Sequence, residues 1–238
     1  MPKPPQGRSS GGARRPASGG RPRQGRTRTL PGEIVSELRT TARPGKGEAA
    51  ISRLERAVEL LDRGDPKGSA AEAIKAKALA PRSAAVREVL GMALYQLEQY
   101  REALTELQAY RRISGRADQN HLIADCLRAA GRPERAVPLA EEVLASRSVP
   151  LETKAEAVIV AASALADMGR LDQALGLLRR VKTSEDVAGP EVLRVWYVTG
   201  SILERAGRTD EAALEFRKIV RHDPAAFDAA ERLARLSG

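Results

Sequence analysis

The sequence predicts an all-α fold: a solenoid of about five helix pairs, closed by a C-terminal capping helix and preceded by a disordered N-terminal tail. Three observations carry this. Ala and Leu dominate while aromatic residues make up only 3%, which favours helix over sheet. Apolar residues recur at intervals of three and four in paired stretches, each pair broken by a tight turn. The turns themselves recur, with Gly64, Glu98, Gly131, Gly169 and Gly207 spaced by 34, 33, 38 and 38 residues. At 238 residues the chain would otherwise suit one large or two small domains; a repeat array escapes that count, because each unit buries its apolar face on its neighbours.

Residues 1–32 are Pro, Gly, Ser and Arg with no apolar periodicity, so they bury too little to offset the entropy of ordering. Ile34, Val35 and Leu38 suit a short amphipathic helix that docks on the first unit, before Arg43-Pro44-Gly45-Lys46-Gly47 breaks the chain. The expected division is a disordered basic tail over 1–46 and a helical repeat domain over 47–238.

Unit one runs over 48–81. Its first helix carries Leu54, Val58 and Leu61; Gly64 ends it, Asp65 caps the next helix and Pro66 suits the first helical position. The second helix carries Ala70, Ala73, Ile74 and Leu79. Unit two centres on 89–110, with Val89, Leu90, Leu94 and Leu97 on its first helix and Gly91 where another helix approaches closely. Tyr100 stands at its turn, and Ala103, Leu104, Leu107 and Tyr110 follow. Unit three (118–146) places Ile123, Ala124 and Leu127 before Gly131, and Ala136, Leu139, Ala140 and Val143 after Pro133. Unit four (151–181) places Val158, Ala162 and Leu165 before Gly169, and Leu171, Ala174, Leu178 and Val181 after it. Unit five (192–224) places Trp196, Gly200 and Leu203 before Gly207, and Ala212, Phe216 and Ile219 after it. The two longer intervals predict longer connections or longer first helices around 148–150 and 184–190. After Pro224, Phe227, Ala230, Leu233 and Leu236 predict the capping helix, with Glu231, Arg232 and Arg235 on its solvated face. One local conflict stands out: Pro138 falls inside the second helix of unit three, where an interior proline costs about 3 kcal/mol. It predicts a kink, either tolerated on the convex side or bending the array.

Leu90-Gly91, Leu94, Tyr100, Ala103, Leu107 and Tyr110 follow a large-small-large pattern that Trp196, Gly200, Leu203, Ala212, Phe216, Ile219 and Pro224 repeat. This pattern resembles the tetratricopeptide (TPR) repeat, whose period is about 34 residues. The resemblance covers roughly 48–236 and implies a right-handed α-solenoid of TPR-like pairs. Unit one departs most, with Ser69 where the family favours Ala and Arg53 where it favours a large apolar residue, so it reads either as a repeat or as an N-terminal capping pair. Through segments such as 124–144 the chain also resembles an actinobacterial family of short TPR proteins of uncharacterised function, which implies no activity.

The resemblance implies that the first helix of each unit lines a concave groove where a partner lies. It places Glu88, Met92, Tyr95 and Gln96 of unit two on that surface, with His121, Asp125 and Arg128 of unit three. Units four and five add Ile159 and Ser163, then Arg194, Tyr197 and Ser201. Tyr and Arg are over-represented at binding hot spots, so Tyr95, Arg128, Arg194 and Tyr197 lead; each also has a plain reading as surface or inter-helix packing. The family's two-carboxylate clamp of Lys and Asn is absent, since the matching positions hold Leu54, Val58 and Glu88. The expected function is a protein-interaction adaptor or scaffold that binds a peptide or helix of an unidentified partner protein.

Charge supports a second reading. Residues 1–46 hold eleven basic and two acidic residues, a net +9 that equals the charge of the whole chain. Arg14, Arg15, Arg21, Arg23, Arg26 and Arg28 lie where no acidic residue occurs, and neutralising phosphates is the sequence-independent way to bind nucleic acid. The alternative is therefore an RNA- or ribosome-associated protein tethered by its tail. The tail has no aromatics to stack bases, so non-specific binding, or a merely solubilising extension, is expected there.

No enzyme, cofactor or metal site is expected. The two histidines, His121 and His222, are far apart, and no HExxH, nucleophile elbow or phosphate-binding GxxxxGK[ST] is present. The single Cys126 forms no internal disulfide and reads as a small buried hydrophobe. Arg63-Gly64-Asp65 reads as a helix terminus, a turn and a cap. No signal-peptide pattern is visible, and the longest apolar run, 157–166, is about half the roughly 20 residues needed to span a bilayer, so a cytoplasmic protein is expected.

Overall fold

The computed structural model describes residues 30–147, 149–181 and 188–236. Among them are twelve α-helices and no strand. Helix α1 (Gly32–Thr41) precedes five hairpins: α2 (Gly47–Asp62) with α3 (Pro66–Leu79), α4 (Ala84–Gln96) with α5 (Tyr100–Ser114), α6 (Asn120–Ala129) with α7 (Ala136–Ala145), α8 (Leu151–Asp167) with α9 (Leu171–Leu178), and α10 (Pro190–Arg205) with α11 (Thr209–His222). Helix α12 (Ala229–Leu236) ends the array. Buried side chains form three successive clusters along the chain instead of one central core, as stacked repeats require. This is the expected α-solenoid.

One turn, used five times, builds the hairpins. Its apex takes a left-handed φ, +77° at Gly64, +72° at Gly131, +75° at Gly169 and +72° at Gly207. Glu98 takes the same conformation at +60°, as its place in the spacing predicts. Two backbone hydrogen bonds close each turn. The apex N–H donates to the carbonyl of Leu61, Tyr95, Arg128, Ala166 or Glu204, and the following N–H donates to that of Leu60, Leu94, Leu127, Leu165 or Leu203. This pairing satisfies carbonyls that a helix end otherwise leaves unbonded. The next helix starts at once: in unit one Asp65 Oδ1 accepts from Gly68 N at 2.9 Å, and Pro66 sits at the first helical position. Within the hairpins, Gly91 and Gly200 admit the facing helix. A Cβ there would lie 2.7 Å from the Leu107 side chain and 2.8 Å from the Phe216 ring.

The structure departs from the sequence expectations at four places. Helix α1 docks on α2 as expected, with Leu30 and Leu38 buried, so it belongs to the folded body although it lies within the stretch 1–46 assigned to the tail. Ile34 and Val35 pack against the same buried cluster. Ile74 is 55% exposed; α3 buries the alanine stripe Ala70, Ala73 and Ala76 instead, which brings it close to α2. Pro138 causes no kink. A 3-10 turn, Pro133–Arg135, delays α7 to Ala136, which puts Pro138 in the first turn, where a backbone N–H has no helical acceptor anyway. The capping helix starts only at Ala229: Ala229 is buried and Phe227 lies before the helix at φ +56°. That register turns Arg232 inward, over the Phe216 ring at 4.5 Å and the Tyr197 ring at 5.2 Å. The interval to Gly169 holds a longer first helix, 17 residues in α8 against 13 in α4 and 10 in α6, and the interval to Gly207 holds both the 16-residue α10 and a longer connection, from Leu178 to Pro190, of which 182–187 lie outside the described residues.

These geometries set the outcome of three substitutions, each read by thermal melting. Glu98→Gly relieves the left-handed strain and raises stability by about 1 kcal/mol. Ser69→Ala does the same by about 1 kcal/mol, because the Ser69 hydroxyl is buried with no hydrogen-bond partner among the described residues. Pro138→Ala leaves the melting temperature within about 1 °C, since it restores no lost helical bond.

Candidate binding groove

Successive first helices pack directly on one another, α2 on α4, α4 on α6, α6 on α8 and α8 on α10. The second helices reach their neighbours through long ion pairs: Lys77–Glu106, Arg111–Glu142, and Arg180, just after α9, with Glu141. In a curved double layer the crowded layer is the concave one, so the first helices line the groove.

Because each first helix ends on the same turn, that turn sets which side chains face inward. The residues ten, six and three before the apex are Leu54, Val58 and Leu61 in α2, and Glu88, Met92 and Tyr95 in α4. They are His121, Asp125 and Arg128 in α6; Ile159, Ser163 and Ala166 in α8; and Tyr197, Ser201 and Glu204 in α10.

Across this face runs a hydrogen-bonded ladder. Tyr95 Oη donates to Asp125 Oδ2 at 2.7 Å, and Arg128 Nε donates to the other oxygen of Asp125 at 3.0 Å. Arg128 Nη1 reaches Asp167 of α8 at 3.1 Å. Arg205 of α10 continues the line, donating to the Ala166 carbonyl at 2.8 Å. Beside it, Gln119 donates to Glu88 at 2.7 Å and Arg194 pairs with Glu156 of α8. At the far end Arg232 pairs with Glu204 and donates to Ser201 Oγ at 2.7 Å.

The expected groove residues therefore divide. Tyr95, Asp125 and Arg128 come together, but mostly to bind one another. Tyr197 and Ser201 are covered by the chain entering α12: the Phe227 ring lies 4.5 Å from that of Tyr197 and Arg232 closes over both residues. Ile159 is buried in the core, because α8 packs against α6 and α10 on both sides, so it lines no groove. Ser163 turns its hydroxyl back to the Ile159 carbonyl. Met92 is half-buried and Gln96 exposed, and neither side chain makes a hydrogen bond among the described residues. The tail candidates Arg14, Arg15, Arg21, Arg23, Arg26 and Arg28 lie outside the described residues.

Burial decides the electrostatics. It raises the Glu88 carboxyl above its ordinary pKa despite the Gln119 hydrogen bond, and lowers that of His121, whose Nδ1 lies 3.0 Å from the Asp118 carbonyl. Burial, with Asp125 adjacent, pushes the Cys126 thiol up to about 12, which suits an inert core residue. Sequence reasoning missed one charged site. Glu106 is buried and held by Lys77 at 2.6 Å and Arg87 at 2.7 Å, which ties α3, α4 and α5 together. The sole hint was that Lys77 and Glu106 occupy neighbouring second helices. No group of His, Cys, Asp and Glu among the described residues is arranged to hold a metal ion, and no helix there is long and apolar enough to cross a membrane.

The pKa directions set pH dependences. A carboxyl raised on folding favours the fold at low pH and loses that contribution as pH rises; a lowered histidine favours it at neutral pH and loses that contribution on acidification below about 6.5. Glu88→Gln is expected to raise the melting temperature at pH 7, with the gain gone near pH 4. His121→Asn is expected to shrink the drop in melting temperature between pH 7 and 5.

A family model described as Tetratricopeptide repeat matches residues 45–118, 121–186 and 159–229. No curated protein matches the chain. Several solved structures share its fold. YrrB, a TPR protein with an unusual peptide-binding site, is 21% identical with a TM-score of 0.55, over 76% of this chain and 90% of that one. PilW, a type IV pilus biogenesis factor, is 16% identical with a TM-score of 0.68, over 80% and 87%. TTC0263 from Thermus thermophilus, a thermophilic TPR protein, is 18% identical with a TM-score of 0.55, over 79% and 98%. At these identities the likeness is one of fold. Repeats of this kind are typically protein-interaction scaffolds. With the repeated turn, the crowded inner layer and a family match that spans most of its length, the chain belongs to the tetratricopeptide repeat family.

Proposed function

We propose that the chain is a protein-interaction scaffold that docks a helix or peptide of a partner protein on the concave face of α4 to α10. The observation that carries this reading is the ladder from Tyr95 to Arg205. It locks four first helices into one stiff wall, and a preorganised surface loses less on binding than a floppy one. On that wall Met92 and Gln96 of α4 make no hydrogen bond among the described residues, which makes them the leading contacts, followed by His121 of α6 and Arg194 of α10. The peptide-binding site of YrrB, a chain of like fold, supports the same use. Tyr95, Asp125 and Arg128 then shape the groove, and Tyr197 and Ser201 serve the capping helix.

The test is site-directed photo-crosslinking. A photoreactive residue at Met92 is expected to capture a partner that the same residue at Arg112, exposed on the outer layer, does not. With the photoreactive residue kept at Met92, Gln96→Glu is expected to weaken that capture while the melting temperature stays within about 2 °C. Equal capture from both positions refutes the groove.

The segregated charge of the tail favours a second, compatible reading: non-specific association with RNA or ribosomes. Because Leu30 and Leu38 are buried in the folded body, the informative deletion stops at residue 29. It is expected to abolish low-salt co-sedimentation with ribosomes and to leave the Met92 crosslink intact.

A further inference from the structure

Unit one differs from the other four at the groove. Ten and six residues before the turn apex it carries Leu54 and Val58. The later units carry Glu88 and Met92, His121 and Asp125, Ile159 and Ser163, and Tyr197 and Ser201 at the same places. A wholly apolar stretch of groove wall needs a cover, and α1 supplies it. Leu30 and Leu38 join one buried cluster with Ala50, Ile51 and Leu54 of α2, Ala85 and Val86 of α4, and Ala76 and Ala80 at the end of α3, and Ile34, Val35, Val58, Leu79 and Val89 pack against it. Glu37 completes the fit. One of its oxygens accepts from the backbone N–H of Ala84 at 2.6 Å, and the other from Ser83 Oγ at 2.8 Å. The carboxylate thus caps the first turn of α4, where the helix dipole favours negative charge. Helix α1 thus packs along α2 and reaches the start of α4 through Glu37.

Outside this seat α1 has the exposed Arg39–Glu48 ion pair at 2.9 Å and, just past its end, one backbone bond from the Arg43 N–H to the Leu79 carbonyl. Helix α1 has 10 residues and no side-chain cap at its start, and a helix of that length is marginal in isolation. Its link to α2 passes through Pro44 and Gly45, the latter at φ +69°. The seat, by contrast, stands on α2 and α4, which their own hairpin partners α3 and α5 hold.

We propose that the apolar seat on α2 and α4 is a helix-docking site, filled in cis by α1 and open in trans to an amphipathic helix of a partner protein. The partner helix carries two apolar residues four apart, as Ile34 and Leu38 are, with a carboxylate immediately before the second, as Glu37 is. Helix α1 is then an internal competitor that the partner displaces. This deepens the scaffold reading and rests on the concave face being the interaction surface, but it uses residues that the α4 to α10 face does not.

The experiment uses a labelled peptide of residues 30–42, LPGEIVSELRTTA, against the full chain. The wild-type chain binds it weakly, because the tethered α1 competes at an effective concentration of order millimolar. A full-length Glu37→Ala, Leu38→Ser variant frees the seat without altering it, and binds the peptide at least about tenfold more tightly. The peptide carrying the same two changes binds neither protein. Hydrogen exchange on the unmodified chain gives an independent readout: the amides of α1 exchange as a group, faster than those of α2 and α3, and the Ala84 N–H exchanges with them. Protection of α1 equal to that of α2 and α3, or no gain in peptide affinity by the variant, makes α1 a fixed cap and overturns the proposal. The Met92 crosslink would stand in either case, so the two readings fail separately.

Discussion

Five copies of one backbone turn set the geometry of this protein. At each, a residue in the left-handed conformation ends the first helix, and two amide bonds return to its last turn, one of them always to a leucine carbonyl. The turn holds the hairpin closed without help from side chains. It also fixes the rotational phase of every first helix, because the same residue always sits at the same point of the last turn. The inward-facing positions then follow by counting back, whatever residues occupy them. Glu98 shows how strong the constraint is: a non-glycine residue accepts a conformation costing roughly 1 kcal/mol or more to keep the turn.

The phase has an electrostatic consequence. With the first helices crowded on the concave side, their polar residues meet across the helix boundaries. Tyr95, Asp125, Arg128 and Asp167 satisfy one another, and Glu88 and Arg194 find Gln119 and Glu156. Such pairs add stiffness more than stability, since exposed ion pairs are worth about 0–1 kcal/mol. On the outer layer the same repeat logic places Glu106 between Lys77 and Arg87, where burial makes the loss of any one partner expensive.

An open array has two exposed ends, and this chain covers each in its own way. At the C-terminal end α12 sends Arg232 over the aromatic rings of α10 and α11 and pairs it with Glu204, which combines a cation–π contact with charge. At the N-terminal end the inner face of α2 is apolar, and α1 lies on it with leucines and a capping glutamate. The first cover is locked by charge and aromatic packing. The second rests mainly on apolar contact and the Glu37 carboxylate, with an exposed Arg39–Glu48 pair and one backbone bond beside them.

The repeat, the five turns and the small residues at close approaches were all legible in the amino-acid sequence, because each depends on residues within one helix turn or one repeat of each other. The spacing of Gly64, Glu98, Gly131, Gly169 and Gly207 was enough to place every first helix, and Gly91 and Gly200 marked where helices touch. What the tertiary structure decided is which side chains are left free. The resemblance to TPR repeats put Tyr95, Arg128 and Tyr197 on the groove face; only the packing of neighbouring units showed that the first two bind within the ladder and that the third lies under Phe227. It likewise turned Arg232 inward, exposed Ile74 and brought Glu37 to the start of α4. Local hydrogen bonding and helical phase are properties of a short stretch of chain, whereas the partner of a side chain depends on the distance and angle between units, which no single stretch contains.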